Sequence, residues 1–184
     1  MTAEELYERA ELDEPARELA EPEMSVRKYV ESLAASGQLR AAMSALLHLL
    51  PVADAIAWGL ESVRKVELAV SRPQAEPVLE AVDEWLKEPT DEHRRAAWAA
   101  AEPAGIATPA GCLGLAVFLS GGSMAPAHVE QGPQPAPYLY AKAVAGAMSM
   151  AAVQDPPKAP DYLRVFVDRG FERAHQNKVW EEET

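Results

Sequence analysis

Four histidines and 29 acidic residues are the side chains of this sequence best suited to bind a metal ion or to exchange protons. The histidines lie far apart and show no metal-ligand spacing such as H-E-x-x-H. The single cysteine, Cys112, has no second thiol with which to form a zinc site or an intrachain disulfide. The sequence therefore predicts no metal and no cofactor; the histidines considered are His48, His93, His128 and His175. His48 falls in an apolar segment and is interpreted as a satisfied core histidine.

Carboxylates and serines give no catalytic arrangement. Glu80, Asp83 and Glu84 fall opposite the apolar stripe of their predicted helix, where charged side chains are solvated. A general acid needs a carboxylate held in an apolar pocket, and no such carboxylate can be identified. Ser120 and Ser123 have no recognisable base. We therefore expect no catalytic residue and a protein that is not an enzyme.

The stretch Leu119-Ser120-Gly121-Gly122-Ser123 looks like the signature loop of ABC-type ATPases. In those proteins the loop leads into a helix whose N-terminus faces phosphate. Here the stretch follows a predicted helix, and the chain has no G-x-x-x-x-G-K-S/T phosphate loop. The better interpretation is a helix stop, because glycine readily takes the left-handed geometry of a helix C-terminus.

The helix before this stop is predicted to be the centre of the fold. Thr108 can cap its start and Pro109 suits its first position. From Cys112 to Leu119 the sequence has no charged or strongly polar side chain, so we expect this helix to be buried on all sides. Such a helix needs a shell of others around it.

The whole chain is predicted to form a single all-α domain of about eight helices around 108–119, either as a bundle or as stacked helix pairs. Apolar residues make up 48% of the chain and aromatic residues only 7%, so alanine and aliphatic residues dominate, and alanine favours helix. Trp58, Trp85 and Trp98 are expected to fill the core. The predicted helices cover 2–11, 13–21, 25–36, 38–50, 52–70, a segment opened by Pro73, 90–105, 108–119, 138–153 and a final segment after Pro160.

Acidity is concentrated in the N-terminal segment, 1–22. Residues 1–24 carry nine acids and two arginines, which is −7 of the net −12. This balance argues against nucleic acid and anionic membranes and favours a basic protein partner. The acidic start lacks the features of a signal peptide, and no apolar run reaches the roughly 20 residues of a membrane span. A cytoplasmic bacterial protein is the expectation.

The long connection 120–137 is the best candidate for a functional surface. Its eighteen residues are rich in glycine and proline and lack helical periodicity. Structureless connections longer than about 12–15 residues are usually functional or disordered. The candidate partner-binding residues are Ser123, Met124, His128 and Val129, and the alternative is a passive crossover between two helices. Trp180, in the acidic tail 178–184, is either a docking contact or an exposed anchor for another chain.

Several stretches together resemble an uncharacterised family of bacterial helical proteins of about this length. The resemblance covers nearly the whole chain and implies one helical domain that includes the acidic N-terminus, with no transferable activity. Its most specific part runs from Thr108-Pro109-Ala110-Gly111 to Ser120-Gly121-Gly122-Ser123-Met124-Ala125-Pro126. The other stretches are LDEPAR from Leu12, LLHLLPVADAIAW from Leu46, PTDEHRRAAWAAAEPA from Pro89 and AVAGA from Ala143.

Three functional hypotheses follow from these patterns. The first is a non-enzymatic interaction or scaffold protein that acts through the 120–137 connection or the acidic N-terminal helices. The second is a ligand-binding or enzymatic domain with a pocket between helices near Trp98, Cys112 and His48. The third, by analogy of fold alone, is an accessory component of a secretion or envelope machine.

Overall fold

The structure, a computed structural model, describes residues 1–70, 74–129 and 132–180. All regular secondary structure in these ranges is helical. Ten α-helices and one 3-10 helix lie in these ranges; the total exceeds the predicted number of about eight, and the ten α-helices correspond to the ten helical segments read from the sequence. The helices are α1 Ala3–Ala10, α2 Glu14–Arg17, α3 Val26–Ala35, α4 Leu39–Leu49, α5 Val52–Val70, α6 Glu76–Lys87, α7 Asp91–Ala104, α8 Pro109–Phe118, α9 Leu139–Ala152 and α10 Ala159–Gln176, with the 3-10 turn Pro156–Lys158 before α10.

Most helix starts are those that the sequence predicts. The side chains of Asp13, Ser25, Thr90 and Thr108 each accept a hydrogen bond from a backbone N–H in the first turn of the following helix. Each of these caps satisfies a donor that has no partner within the helix. Pro73, predicted to open a helix, lies outside the described residues.

The second acidic helix is shorter than predicted. The sequence suggested 13–21, but α2 ends at Arg17 and the chain continues in turns to Met24. Pro22 disfavours helical geometry at the residue before it, which explains why a helix cannot run on to the end of that stretch.

Helix α8 lies at the centre of a bundle, as predicted. It packs against α5, α6, α7 and α9. Because α4 and α5 both pack on α9, and α10 packs back on α4, the helices surround a common centre instead of forming a linear stack of pairs. The core also includes Trp58 and Trp85, both buried, while Trp98 is half-buried at its edge.

The prediction that α8 is buried on all sides is wrong for one strip. Cys112, Leu115 and Phe118 are half-buried, whereas Leu113 and Val117 are fully buried. Cys112 contacts the backbone of α9 and Phe118 stacks on Trp98 of α7, so the strip faces the gap between these two helices. Four surrounding helices leave this one side of α8 uncovered.

Glycines in the core let the helices approach α8 closely. A Cβ atom on Gly114 would lie 2.9 Å from the carbonyl oxygen of Ala97 in α7. A Cβ atom on Gly59 of α5 would lie 2.7 Å from Val144 of α9. Small residues of α9 also belong to the core, because Ala147 and Ala151 are fully buried.

The acidic N-terminal helices dock on the body of the protein. Leu6 of α1 is fully buried, and the hydroxyl of Tyr29 donates to the carbonyl oxygen of Ala16 at 2.9 Å. All nine acidic side chains of residues 1–24 are nevertheless exposed. Within the described residues, no helix combines the length and the apolar character needed to cross a membrane.

Candidate functional site

Arg94 joins helix α7 to the connection that follows α8. Its side chain is only 4% exposed. One guanidinium nitrogen donates to the carbonyl oxygen of Phe118 at 2.6 Å and another to that of Ser123 at 2.9 Å. The guanidinium carbon also lies 4.7 Å from the centroid of the Phe118 ring, a cation–π contact. A buried cation therefore joins the last carbonyl of α8 to a carbonyl of the connection that follows it.

Arg95, the next residue of α7, holds the same connection from a more exposed position. It donates to the carbonyl oxygen of Ala125 at 2.8 Å and to that of Ser123 at 3.1 Å. The carbonyl of Ser123 thus accepts from both arginines. We call Arg94, Arg95 and Asp91 the arginine clamp.

Asp91 fixes the orientation of both guanidinium groups. Its carboxylate accepts from Arg94 at 2.6 Å and 2.9 Å and from Arg95 at 2.7 Å. Hydrogen bonds from Arg95 and then from Arg94 hold the pKa of Asp91 below its ordinary value, so the carboxylate stays charged at neutral pH. Asp91 is therefore the acid with which both arginines pair, while the same guanidinium groups also contact main-chain carbonyls.

The clamped segment is a closed loop, which we call the 123–133 loop. The N–H of Met124 donates to the carbonyl oxygen of Pro133 at 2.9 Å across its base. The hydroxyl oxygen of Ser123 accepts from the N–H of Ala125 at 3.1 Å. A Cβ atom on Gly132 would lie 2.3 Å from the Cβ atom of Ala125, so the two sides of the loop are in close contact.

Glycine geometry lets the chain reach the clamp. Helix α8 ends at Phe118, and the first strongly left-handed residue after it is Gly122, with φ +70°. A Cβ atom there would lie 3.1 Å from the Arg94 guanidinium. The predicted helix stop therefore also provides the close approach to Arg94.

The predicted partner-binding residues of the loop differ in exposure. Ser123 and Met124 are half-buried at the base, and their polar backbone groups are used within the loop and the clamp. His128 and Val129 are exposed in a turn in which the N–H of Val129 donates to the carbonyl oxygen of Pro126. We call residues 126–129 the loop tip. Residues 130 and 131 of the predicted connection lie outside the described residues.

Trp180 lies elsewhere in the fold. It follows α10 and packs, half-buried, against the core. This placement favours the docking contact over the exposed anchor. The part of the predicted tail after Trp180 lies outside the described residues.

The three residues of the alternative pocket have different surroundings. Trp98 stacks on Phe118, and Cys112 donates to the carbonyl oxygen of Ala143 at 3.2 Å. His48 is buried beside Tyr138, with ring centroids 5.7 Å apart. Its interpretation as a satisfied core histidine is wrong for one nitrogen, because Nε2 is buried with no hydrogen-bond partner among the described residues.

Metal binding has no support from side-chain geometry in the described ranges, where no three His, Cys, Asp or Glu side chains are grouped to hold an ion. The guanidinium groups of the clamp bind main-chain carbonyls, and its one carboxylate, Asp91, accepts hydrogen bonds from both arginines. The role that these contacts support for the arginine clamp is structural, because they fix the shape of the 123–133 loop at its base.

Comparison with known proteins identifies a family but no characterised relative. No curated protein and no solved structure matches the chain. A family model matches residues 29–174, which run from α3 to α10 and include the clamp and its loop but not the acidic helices α1 and α2. The chain therefore belongs to the family of unknown function DUF6931.

Proposed function

We propose that this protein is a non-enzymatic adaptor of a bacterial cytoplasmic system, and that it binds a protein partner through the tip of the 123–133 loop. The observation that carries the proposal is the buried Arg94, which donates to the carbonyl oxygen of Phe118 at the end of α8 and to that of Ser123 at the base of the loop. Removing an arginine from water is unfavourable unless its donors are satisfied. A passive connector between two helices does not need such a device.

A preformed loop has a physical advantage in recognition. Binding a partner normally requires the ordering of flexible segments, which reduces affinity. The arginine clamp and the Met124–Pro133 hydrogen bond order the base of the loop before any partner arrives. The tip then presents the imidazole of His128 and the side chain of Val129, which is 39% exposed, at little further entropic cost.

The charge of the partner follows from the N-terminal segment. Its nine exposed carboxylates give this part of the surface a strong negative potential. Such a potential increases the association rate of a basic partner and is screened by salt. We therefore expect a basic partner whose association slows as ionic strength increases.

Site-specific photo-crosslinking in the native host tests the proposal. A photoreactive residue is placed at His128 in one variant and at Val165, an equally exposed valine of α10, in the control. The expected result is a crosslinked partner from position 128 and none from position 165. Equal crosslinking from both positions would contradict the assignment of the site to the loop.

Affinity measurements with the purified partner then test the tip side chains. The double variant His128→Ser/Val129→Ser is expected to bind at least about tenfold more weakly, which corresponds to about 1.4 kcal/mol. Val165→Ser should bind as tightly as the wild type, because it removes a similar exposed side chain elsewhere. Unchanged affinity of the double variant would overturn the proposal.

A further inference from the structure

A cleft of about 530 Å³ lies on a part of the protein that the proposed function does not use. It is bounded by α1, by the junction of α4 and α5, by the start of α9 and by the chain after α10. Its size is in the range of small-molecule sites. The lining residues that matter below are Arg9, His48, Leu49, Leu50, Pro51 and Tyr138.

His48 is the unusual residue of this cleft. Its side chain is 3% exposed, and Nδ1 lies 2.8 Å from the carbonyl oxygen of Ser44, one turn earlier in α4. Because a carbonyl only accepts, Nδ1 must carry the proton, and Nε2 then has a lone pair that can only accept. Nε2 is buried without a partner in the described part of the chain, and His48 lines the cleft. Buried polar atoms are rarely left in this state.

The groups around this imidazole are mainly positive. The guanidinium carbon of Arg9 lies 4.8 Å from the centroid of the Tyr138 ring, the same ring that His48 contacts. No carboxylate among the described residues forms an ion pair with Arg9. Glu11 is the acid in electrostatic reach of His48, and it is paired with Lys142. Arg9 is therefore a cation of the cleft that no carboxylate of the described residues neutralises, and Lys178 is a further cationic residue in the lining.

Two helix starts border the cleft, and the first turn of one of them, α5, holds an acid, Asp54. Helix α5 begins directly after Pro51, and α9 begins directly after Tyr138. No side chain caps the start of α9, and its first turn has no acid, although the N–H groups of Leu139 and Ala141 donate to the carbonyl oxygens of Ala136 and Tyr138. The first N–H groups of a helix carry partial positive charge and attract anions.

We propose that this cleft binds a small anion that also carries a hydroxyl group. Arg9 receives the charged oxygens beside the start of α9, and Nε2 of His48 accepts a hydrogen bond from the hydroxyl. Leu49 and Leu50 provide apolar surface for the remainder of the molecule. Burial, reinforced by Lys142 and Arg9, lowers the pKa of His48, which keeps Nε2 unprotonated at neutral pH.

Two pairs of probes that differ only in a proton donor test this proposal. Glycolate and acetate have the same charge, but only glycolate has a hydroxyl group. Hydrogen phosphate keeps an O–H at neutral pH and sulfate does not. Calorimetric titration of the full chain is expected to show glycolate and phosphate binding at least about tenfold more tightly than acetate and sulfate, since an unpaired buried acceptor penalises a ligand without a donor. A phosphate preference alone would assign the site to phosphate-bearing ligands, and a glycolate preference alone to hydroxy acids.

Matched variants assign the roles of the two side chains. His48→Phe keeps an aromatic ring and is expected to abolish the preference within each pair. Arg9→Gln should weaken all four anions by about tenfold. Arg17→Gln is the control, because Arg17 also lies over a tyrosine ring in the N-terminal segment, that of Tyr7, but outside this cleft.

Some outcomes would overturn the proposal. They are equal binding of the two members of each pair by the wild type, no saturable binding of any probe, or a preference that survives His48→Phe. If His48→Phe does not fold, the ¹⁵N resonance of Nε2 in the wild-type protein provides the test. It should shift toward a hydrogen-bonded nitrogen with glycolate but not with acetate, and an unchanged resonance with both would be a negative result.

Discussion

The guanidinium of Arg94 lies 2.9 Å from the carbonyl oxygen of Ser123, 29 residues further along the chain. The same arginine also donates to the carbonyl of Phe118 at the end of α8. Arg94 therefore connects the first turn of α7 both to the C-terminal end of the central helix α8 and to the loop that follows it. The shape of the 123–133 loop therefore depends on a residue that is not part of it.

Arg94→Ala should loosen the loop and destabilise the fold. Hydrogen bonds of charged groups contribute roughly 1.5–3 kcal/mol each. The carbonyl of Phe118 would lose its arginine donor, whereas the carbonyl of Ser123 would keep that of Arg95, so we expect a loss of about 2–3 kcal/mol in the free energy of unfolding. Hydrogen exchange should become faster at Met124, whose N–H closes the base of the loop. Arg27→Ala, which removes an exposed ion pair with Glu31, should change stability by less than about 1 kcal/mol. Unchanged exchange at Met124 would show that the clamp does not order the loop.

Gly170 of α10 should not tolerate alanine. A Cβ atom there would lie 2.5 Å from the ring of Trp58, which is fully buried and cannot move aside. Overpacking of this kind costs about 1–3 kcal/mol. The matched control is Gly146→Ala in α9, where the new Cβ atom would lie 3.5 Å from the sulfur of Cys112, an ordinary contact. Since alanine favours helix, that variant should be neutral or more stable by up to about 1 kcal/mol. Urea denaturation of both variants distinguishes them, and equal effects would disprove the close approach of α10 to Trp58.

The central helix offers a second matched pair. Leu113 is fully buried and Leu115 lies on the half-buried strip of α8. Leu113→Ala should cost about 2–5 kcal/mol through lost burial and an internal cavity. Leu115→Ala should cost clearly less, because solvent already reaches part of that side chain. Denaturant melts of the two variants test this order, and a larger loss for Leu115→Ala would mean that the strip is in fact covered.

The sequence was sufficient to predict the fold class and most helix boundaries, because these depend on local chemistry. Thr90 and Thr108 are capping residues whose effect reaches only three residues along the chain. The arginine clamp could not be predicted in the same way. Arg94 and Arg95 meet Ser123 and Ala125 only after α7 and α8 have packed, and no spacing in the sequence encodes that contact.

His48 illustrates the same limit at the level of a single atom. Its apolar neighbours in the sequence correctly predicted burial, since residues such as Leu46 and Leu47 are buried around it. Whether each ring nitrogen finds a partner depends on Tyr138 and on the direction of the ring, which are tertiary properties. The unpartnered Nε2, which carries the ligand proposal, therefore became visible only in the folded protein.

The lowered pKa of His48 should make stability depend on pH in a defined window. In the unfolded chain the imidazole titrates near its ordinary value of 6.5, and burial lowers the pKa in the fold, aided by Lys142 and Arg9 and opposed by the Ser44 carbonyl and Glu11. Between the lowered pKa and 6.5 the unfolded chain binds a proton that the folded protein does not, so the unfolded state gains stability as pH falls. The contribution of neutral His48 is therefore complete above pH 6.5 and is lost as pH decreases toward the lowered pKa, at up to about 1.4 kcal/mol per pH unit.

Urea denaturation of the wild type and of His48→Phe, at several pH values on either side of 6.5, measures this contribution. The wild type should lose more stability than the variant as pH is lowered through this window, because phenylalanine has no proton to bind. His128→Phe, at the exposed loop tip, serves as the control and should follow the wild type. If His48→Phe instead shows the same pH dependence as the wild type, His48 is not held neutral by its surroundings, and its Nε2 would not be the acceptor on which recognition of a hydroxyl group depends.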